Sequence, residues 1–437
     1  MSPVFRALDR HFFAPARLSD LAWLRIVCVG GGLLVFPPLW AVLHYAQVAQ
    51  SEFLPLPALK VLLLPLGGWG VRPGPMFLHA VWLGTIVAGV TGLVGLLTRP
   101  SLFLFAAGYT LIFAHFYSFG VVHHPEGVFI ITLWLLAVSP SGAALSLDAL
   151  LGRLRVAAEQ RRFEPRPATP AESGFARWPL RTVQWLLGMA YLSAGLSKLV
   201  NGGLDWFNGY TLVYYVALDG LRWGSPLAPA FASHPGIASL LSIGAVVLEL
   251  TFFLAIVFPR LVPLFLLGGI ALHGLIYAVQ RAPFIHFVFL YVAFLEGLRR
   301  GFRRAPVRAA AAPPAPWTVI YDGLCPLCIR TMTILDTLDG RHRLAYLDLQ
   351  GDRSRLAAIA PGVSAEQARA AMHVVSPSTE VYRGFFGFRQ LARILPPLWP
   401  VLPLLYLPFA ATIGPRLYDL VAGRRTRHVC TAESCAA

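Results

Sequence analysis

Two cysteines three residues apart, Cys325 and Cys328, and one lysine inside an apolar stretch, Lys198, are the side chains best suited by type and spacing to do chemistry. A Cys-x-x-Cys pair at the start of a helix is a dithiol that can open and close a disulfide. The first thiolate, stabilised by unpaired N–H groups and the helix dipole, attacks; the second, one turn later, resolves the mixed disulfide. Cys325 fits the first role and Cys328 the second. One rival is a zinc ribbon completed by Cys430 and Cys435, but their four-residue gap and the strand that precedes Cys325 favour the redox reading, with no metal. The bland alternative is a pair of cysteines that only pack.

The elements around the pair carry the argument. Trp317–Tyr321 is a β-branched and aromatic run, Asp322-Gly323 reads as a turn, and Ile329–Leu338 reads as a helix, so the order is strand, turn, Cys-x-x-Cys, helix. A strand at Leu344–Leu349, a strand pair at His373–Tyr382 and an apolar, Pro-rich helical end follow. Ile394–Gly414 has no charge but five prolines, which argues for a helical hairpin, lying on a membrane surface, over a simple span.

Most of the chain before residue 300 has a different character. The sequence is 57% hydrophobic against 13% charged, which excludes an ordinary soluble protein. Candidate spans are Leu21–Tyr45, Met76–Leu97, Ser101–Phe119, Gly127–Ser139 extended backwards, Leu180–Val200, Ile237–Phe258, Leu261–Val279 and Pro283–Leu298, about eight in all. The first is expected to be retained, since no small-residue cleavage site precedes it. The fold class expected is therefore a polytopic α-helical membrane domain over 1–298, a basic Ala/Pro-rich linker over 299–316, and an α/β thioredoxin-like domain over 317–437.

The net charge of +15 is explained by threading and not by nucleic acid, because the basic residues are scattered between apolar stretches. With eight spans, seventeen arginines fall at the two ends and in the even gaps, and only Lys60, Arg72, Arg222 and Arg281 in the others. The positive-inside rule then places the N-terminus and the C-terminal domain in the cytoplasm, with a bacterial inner membrane as the expected location.

Only Lys60 and Lys198 are lysines among 36 basic residues. A lysine at membrane depth is costly unless it is paired, used, or snorkels to the interface. In the eight-span threading Lys198 lies on the outer side, level with His123-His-Pro-Glu126, and His44, His79, His115, His123, His124, His234, His273 and His286 all fall toward that side. Glu249, mid-span, is a further buried acid, with Arg25 in the first span its expected partner.

Two resemblances add to this reading. Tyr321-Asp-Gly-Leu-Cys-Pro-Leu-Cys328 resembles the signature of the DCC family of thiol-disulfide oxidoreductases, in which Asp322, Cys325 and Cys328 match an Asp-x-x-Cys-x-x-Cys pattern. The likeness runs from Trp317 to about Arg427 and implies a thioredoxin-like fold with Asp322 positioned to influence the cysteines. Tyr191–Tyr210, with Ala194-Gly195, Lys198-Leu199, Asp205-Trp206 and Gly209-Tyr210, is similar to the core of the vitamin K-dependent γ-carboxylases and the related HTTM membrane domains; His123-His-Pro-Glu-Gly127 adds to it. That resemblance implies a quinone site involving His123, His124, Glu126, Asp205 and Trp206, with Lys198 as the base that deprotonates a reduced quinone.

The functional expectation is a membrane-bound thiol-disulfide oxidoreductase acting on an unidentified thiol or protein substrate, with a quinone held in the membrane domain. Two other readings stay open: a quinone-dependent carboxylase or oxygenase centred on Lys198, and a non-enzymatic maturation factor.

Overall fold

The computed structural model describes residues 2–48, 50–63, 73–120, 124–302, 315–351 and 354–425. The chain divides into two compact units, Met1–Asp148 with Pro170–Pro306, and Ala149–Thr169 with Val307–Ala437.

The first unit is helical. Three of its helices are long and apolar enough to cross a membrane: Pro75–Val94, Thr98–Tyr117 and Pro259–Gln280. Leu18–Leu34 and Leu39–Tyr45 form a bent pair with a 65° angle. The break holds Pro37-Pro38, and a proline bars its predecessor from helical geometry. Counting this pair and a second one near the C-terminus, up to five spans meet the length and composition test among the described residues, short of the eight expected from hydropathy. Of the other expected spans, Leu180–Val200 lies within the continuous helix Gly174–Gly202, and the rest are helical but short or interrupted. His124–Val138 has 15 residues, the helix from Pro235 stops at Thr251 before a separate turn at Leu254–Val257, and the last expected span is divided into Ile285–Leu290, Tyr291–Phe294 and Leu295–Gly301. These apolar helices are compatible with an integral membrane protein.

Several buried polar groups in this unit are hydrogen-bonded across helices, as a low-dielectric interior favours. Arg25, fully buried, donates to the carbonyls of Ser141 at 2.7 Å and Leu145 at 2.5 Å. Its expected partner was Glu249; the structure gives Arg25 these carbonyls and pairs Glu249 with Lys198. Of the histidines expected to gather toward one side, His115, His273 and His286 are buried in the interior, whereas His44, His79 and His234 are exposed. Tyr191 Oη lies 2.7 Å from His273 Nε2 and is also bonded to Tyr291 Oη, while Tyr109 Oη lies 3.1 Å from His286 Nε2.

The second unit is built on a four-stranded sheet with the order Leu344–Asp348, Trp317–Tyr321, His373–Val375, Val381–Arg383. The first two strands are parallel, with Tyr321 opposite Asp348, and the helix Pro326–Leu338 crosses between them; the remaining neighbours are antiparallel. This parallel βαβ unit extended by a hairpin follows the expected strand order. One face of the sheet packs Val319, Tyr321 and Val374 against Ile329, Met332 and Leu335 of the crossover helix, and the other packs Ile320, Leu347 and Val375 against Leu356, Ala360 and Ala368.

Residues 149–169 are part of this unit. Phe163 places its ring 5.8 Å from that of Tyr321 and 4.7 Å from that of Tyr346. Asp336 on the crossover helix receives Arg153 at 2.8 Å and Arg166 at 3.1 Å, and Arg166 also donates to the carbonyl of Asp339. The unit closes with Phe385–Ile394 and a second bent helical pair, Pro396–Leu405 with Ala410–Gly423, at 112°.

Candidate functional site

The strand Trp317–Tyr321 ends in a turn that delivers Cys325 to the N-cap of a helix. Within the turn Asp322 Oδ1 accepts the N–H of Leu324 at 3.2 Å and the side-chain amide of Gln350 at 2.9 Å, and the Asp322 carbonyl accepts Cys325 N–H at 3.2 Å. Asp348, brought alongside by the parallel register, accepts Gly323 N–H at 3.0 Å. A Cβ on Gly323 would fall 2.2 Å from an Asp348 oxygen, so only glycine allows this approach. Asp322 is thus 3% exposed and acts as the clasp of the turn.

Cys325 is the N-cap of Pro326–Leu338, and its Sγ accepts the backbone N–H of Cys328 at 3.4 Å. Pro326 takes the first helical position, where its missing N–H costs nothing. The side chains are 1% and 7% exposed. The Cys325 thiol is pulled down to about 6, chiefly by a hydrogen bond from the Cys328 thiol, with backbone N–H groups and the Arg425 guanidinium adding to it against the opposing effect of burial. The Cys328 thiol is pushed up by that same hydrogen bond and by burial. One sulfur is thereby a thiolate near neutral pH and the other a protonated thiol, the division a dithiol needs for attack and resolution.

Arg425 reaches the pair from the far end of the chain: its Nη1 lies 3.7 Å from Cys328 Sγ, and its Nη2 donates to the Ala370 carbonyl at 3.0 Å and to Tyr418 Oη at 3.2 Å. Nothing in the local sequence around Cys325 announces Arg425, nor Gln350, which closes the Asp322 turn. The Asp348 contact had a signal, since two parallel strands in register must place the end of the second beside the turn after the first. An apolar cavity of about 490 Å³ opens beside Cys328, walled by Met332, Met372, Phe388, Leu405, Leu417 and Val421 among others, with Tyr418 and Arg425 on the same wall. Cys430 and Cys435 lie outside the described residues.

In the first unit, Lys198 sits on the long helix Gly174–Gly202 and donates to both carboxylate oxygens of Glu249, at 2.7 and 2.8 Å. Gly195 makes this approach possible, because a Cβ there would stand 3.1 Å from that of Glu249 and 3.0 Å from the Leu250 side chain. The ammonium also lies 5.5 Å from the centre of the Trp206 ring, a cation–π distance. Lys198, Glu249 and Trp206 line a second apolar cavity of about 500 Å³ together with Tyr215, Ser242 and Leu272.

Other expected members of this group lie elsewhere. Asp205 is exposed in the turn Gly203–Phe207 and is not on the cavity wall. Glu126 faces His286, with Oε1 3.7 Å from Nδ1, and is not on that wall either. His124 begins the helix His124–Val138, its side chain outside the description, and His123 lies outside the described residues.

No curated protein and no solved structure was found to match the chain. The likeness to γ-carboxylases lies outside the residues that a family model matches. Residues 319–431, the stretch that holds Cys325, Cys328, Arg425 and their turn, match the family model of the DCC1-like thiol-disulfide oxidoreductases.

Proposed function

We propose that this protein is a membrane-bound thiol-disulfide oxidoreductase in which Cys325 attacks a disulfide and Cys328 resolves the product. The Cys325 thiolate bonds to one sulfur of the substrate disulfide and expels the other as a thiolate. Cys328, losing its proton, then attacks Cys325 Sγ, closing the Cys325–Cys328 bond and releasing the second substrate thiol. The substrate gains two electrons, which the enzyme's dithiol loses. The carrying observation is the N-cap position of Cys325 beside the Cys328 N–H and thiol. Asp322 serves as a positioning residue that holds the turn.

The fold of this domain is read as thioredoxin-like from its βαβ unit and hairpin, and the membrane part as eight spans threaded with both ends in the cytoplasm. In support of one side for the thiol domain, the Ala149–Thr169 segment, a gap between spans, is packed into the same unit as the cysteines.

The experiment is alkylation of the full-length protein in membranes with a mass-tagged maleimide, before and after reduction. Cys325 and Cys328 should move together between an unreactive disulfide and two labelled thiols, and Cys325→Ser or Cys328→Ser should abolish turnover of a small disulfide. A pair that stays as thiols under oxidant would overturn the reading.

A second reading is favoured by the cavity at Lys198: a separate site for an apolar ligand of quinone type, with Lys198 and Trp206 at its polar end. Lys198 donates to both Glu249 oxygens there, so a role as base requires that pair to open first. Binding of a quinone that is lost in Trp206→Ala, with the thiol reaction intact, would support it.

A further inference from the structure

The cavity beside Cys328 has a wall composition that a protein disulfide does not need. Its lining is aliphatic and aromatic, and its polar groups are confined to Tyr321, Thr331, Tyr418, Arg425 and the cysteine. Thr331 spends its hydroxyl on the Leu327 carbonyl at 2.8 Å. Tyr418 Oη accepts from Met372 N–H at 2.8 Å and from Arg425 at 3.2 Å, which leaves its own proton without an acceptor among the described residues. Toward the sulfur the cavity therefore offers the Tyr418 hydroxyl as a donor, beside a guanidinium within 3.7 Å of Cys328 Sγ. A carbonyl oxygen is the group such a corner receives.

The helices that wall the cavity have a second apolar surface. Leu405, Leu417 and Val421 line it, the last two at its exposed edge, and Leu404, Phe409, Ile413 and Leu420 are exposed without lining it. Residues 394–415 carry no charge. An exposed apolar hairpin of this kind is at home in the acyl–headgroup boundary of a bilayer, where one of its faces meets lipid and the other opens on the cavity.

We propose that the cavity binds an alkyl-tailed quinone from the bilayer and that the Cys325–Cys328 dithiol reduces it to the hydroquinone. This rests on the thiol-disulfide reading above and names a reaction partner for it. With a quinone the pair exchanges the roles it has with a disulfide: Cys328, the member on the cavity wall, adds its sulfur to a ring carbon, and its proton goes to a ring oxygen. Cys325, as the thiolate, attacks Cys328 Sγ; the S–S bond forms, the C–S bond breaks, and its electron pair stays on the ring. One proton from solvent completes the hydroquinone. Two electrons leave the dithiol and two enter the quinone, with Tyr418 and Arg425 holding the ring oxygen as charge develops on it.

The test uses the full-length protein in lipid nanodiscs, reduced and freed of reductant without oxygen. The probes are a fully ring-substituted benzoquinone with a decyl tail, the tetramethyl ring without a tail, and water-soluble hydroxyethyl disulfide. One hydroquinone should form per Cys325–Cys328 disulfide, and the tailless ring should react about tenfold more slowly at equal concentration. Ala422→Trp, which fills the cavity, should slow the decyl quinone about tenfold and leave hydroxyethyl disulfide within about twofold. Reaction with hydroxyethyl disulfide but not with the decyl quinone overturns the quinone proposal alone, as does equal reaction of the tailed and tailless rings. Failure of both oxidants overturns the thiol-disulfide reading with it. If tryptophan is not accommodated, its loss of the hydroxyethyl disulfide reaction reveals this, and the tail dependence of the unmodified protein decides.

Discussion

Cys325 Sγ accepts the backbone N–H of Cys328 at 3.4 Å, which places the more acidic sulfur of the pair at the first turn of a helix. With the Cys325 thiol pulled down to about 6, its alkylation rate should climb as pH rises through about 6 and then level off, whereas an ordinary thiol keeps gaining above pH 8. Cys328→Ala removes the largest stabilising contact and should move that midpoint upward. The linkage has a definite sign: a depressed folded-state pKa stabilises the reduced fold fully at pH above the unfolded thiol's value, and this is lost as pH falls through about 6. Stopped-flow alkylation against pH, with thermal unfolding of the reduced protein at pH 5 and 8, checks both.

Gly323 faces the Asp348 carboxylate so closely that an added methyl must displace it. Gly323→Ala should cost about 1–3 kcal/mol of domain stability and reduce thiol turnover by displacing the Cys325 turn. Asp322→Asn keeps an acceptor for Leu324 and Gln350 and should be mild; Asp322→Ala leaves those donors without it, at about 1–3 kcal/mol. Thermal unfolding of the three variants beside turnover of hydroxyethyl disulfide would rank them.

The Lys198–Glu249 pair is partly buried, with 23% and 9% of the side chains exposed. Lys198→Met or Glu249→Gln strands the partner and should cost about 1–3 kcal/mol, discounted from the fully buried case for the lysine's exposure. The double variant should recover part of that loss. A double-mutant cycle by thermal unfolding in detergent measures the coupling, and additive losses would show that the pair is not energetically joined.

Asp336 holds both Arg153 and Arg166. Asp336→Ala should free the 149–169 segment from the thiol domain, raising limited trypsin cleavage at Arg161, Arg162 and Arg166 several-fold. The arginines are a quarter and a third exposed, so the stability cost should be only about 1–2 kcal/mol. Unchanged cleavage would mean that the Phe163 ring contacts and the Arg166–Asp339 carbonyl bond suffice to retain the segment.

What the sequence by itself determined is local. Strand, turn and Cys-x-x-Cys helix follow one another within about twenty residues, so the identity and placement of Cys325 and Cys328 could be read from spacing and turn chemistry. The apolar stretches were equally legible, as was the cost of a lysine among them. The tertiary structure decided what depends on distant packing. Glu249 faces Lys198 and not Arg25 because Gly195 lets its helix close on Pro235–Thr251, and hydropathy carries no information on which helix faces meet. Prolines and short helices interrupt stretches that a window average reads as continuous. Residues 149–169, basic and between spans in the threading, join the thiol domain through Arg153 and Arg166 on Asp336, Arg166 on the Asp339 carbonyl, and Phe163 against the Tyr321 and Tyr346 rings. Arg425, 97 residues beyond Cys328, reaches its sulfur only because a bent helical pair folds back over the crossover helix. Contacts of that separation are selected by the packing of whole elements, and no spacing along the chain encodes them.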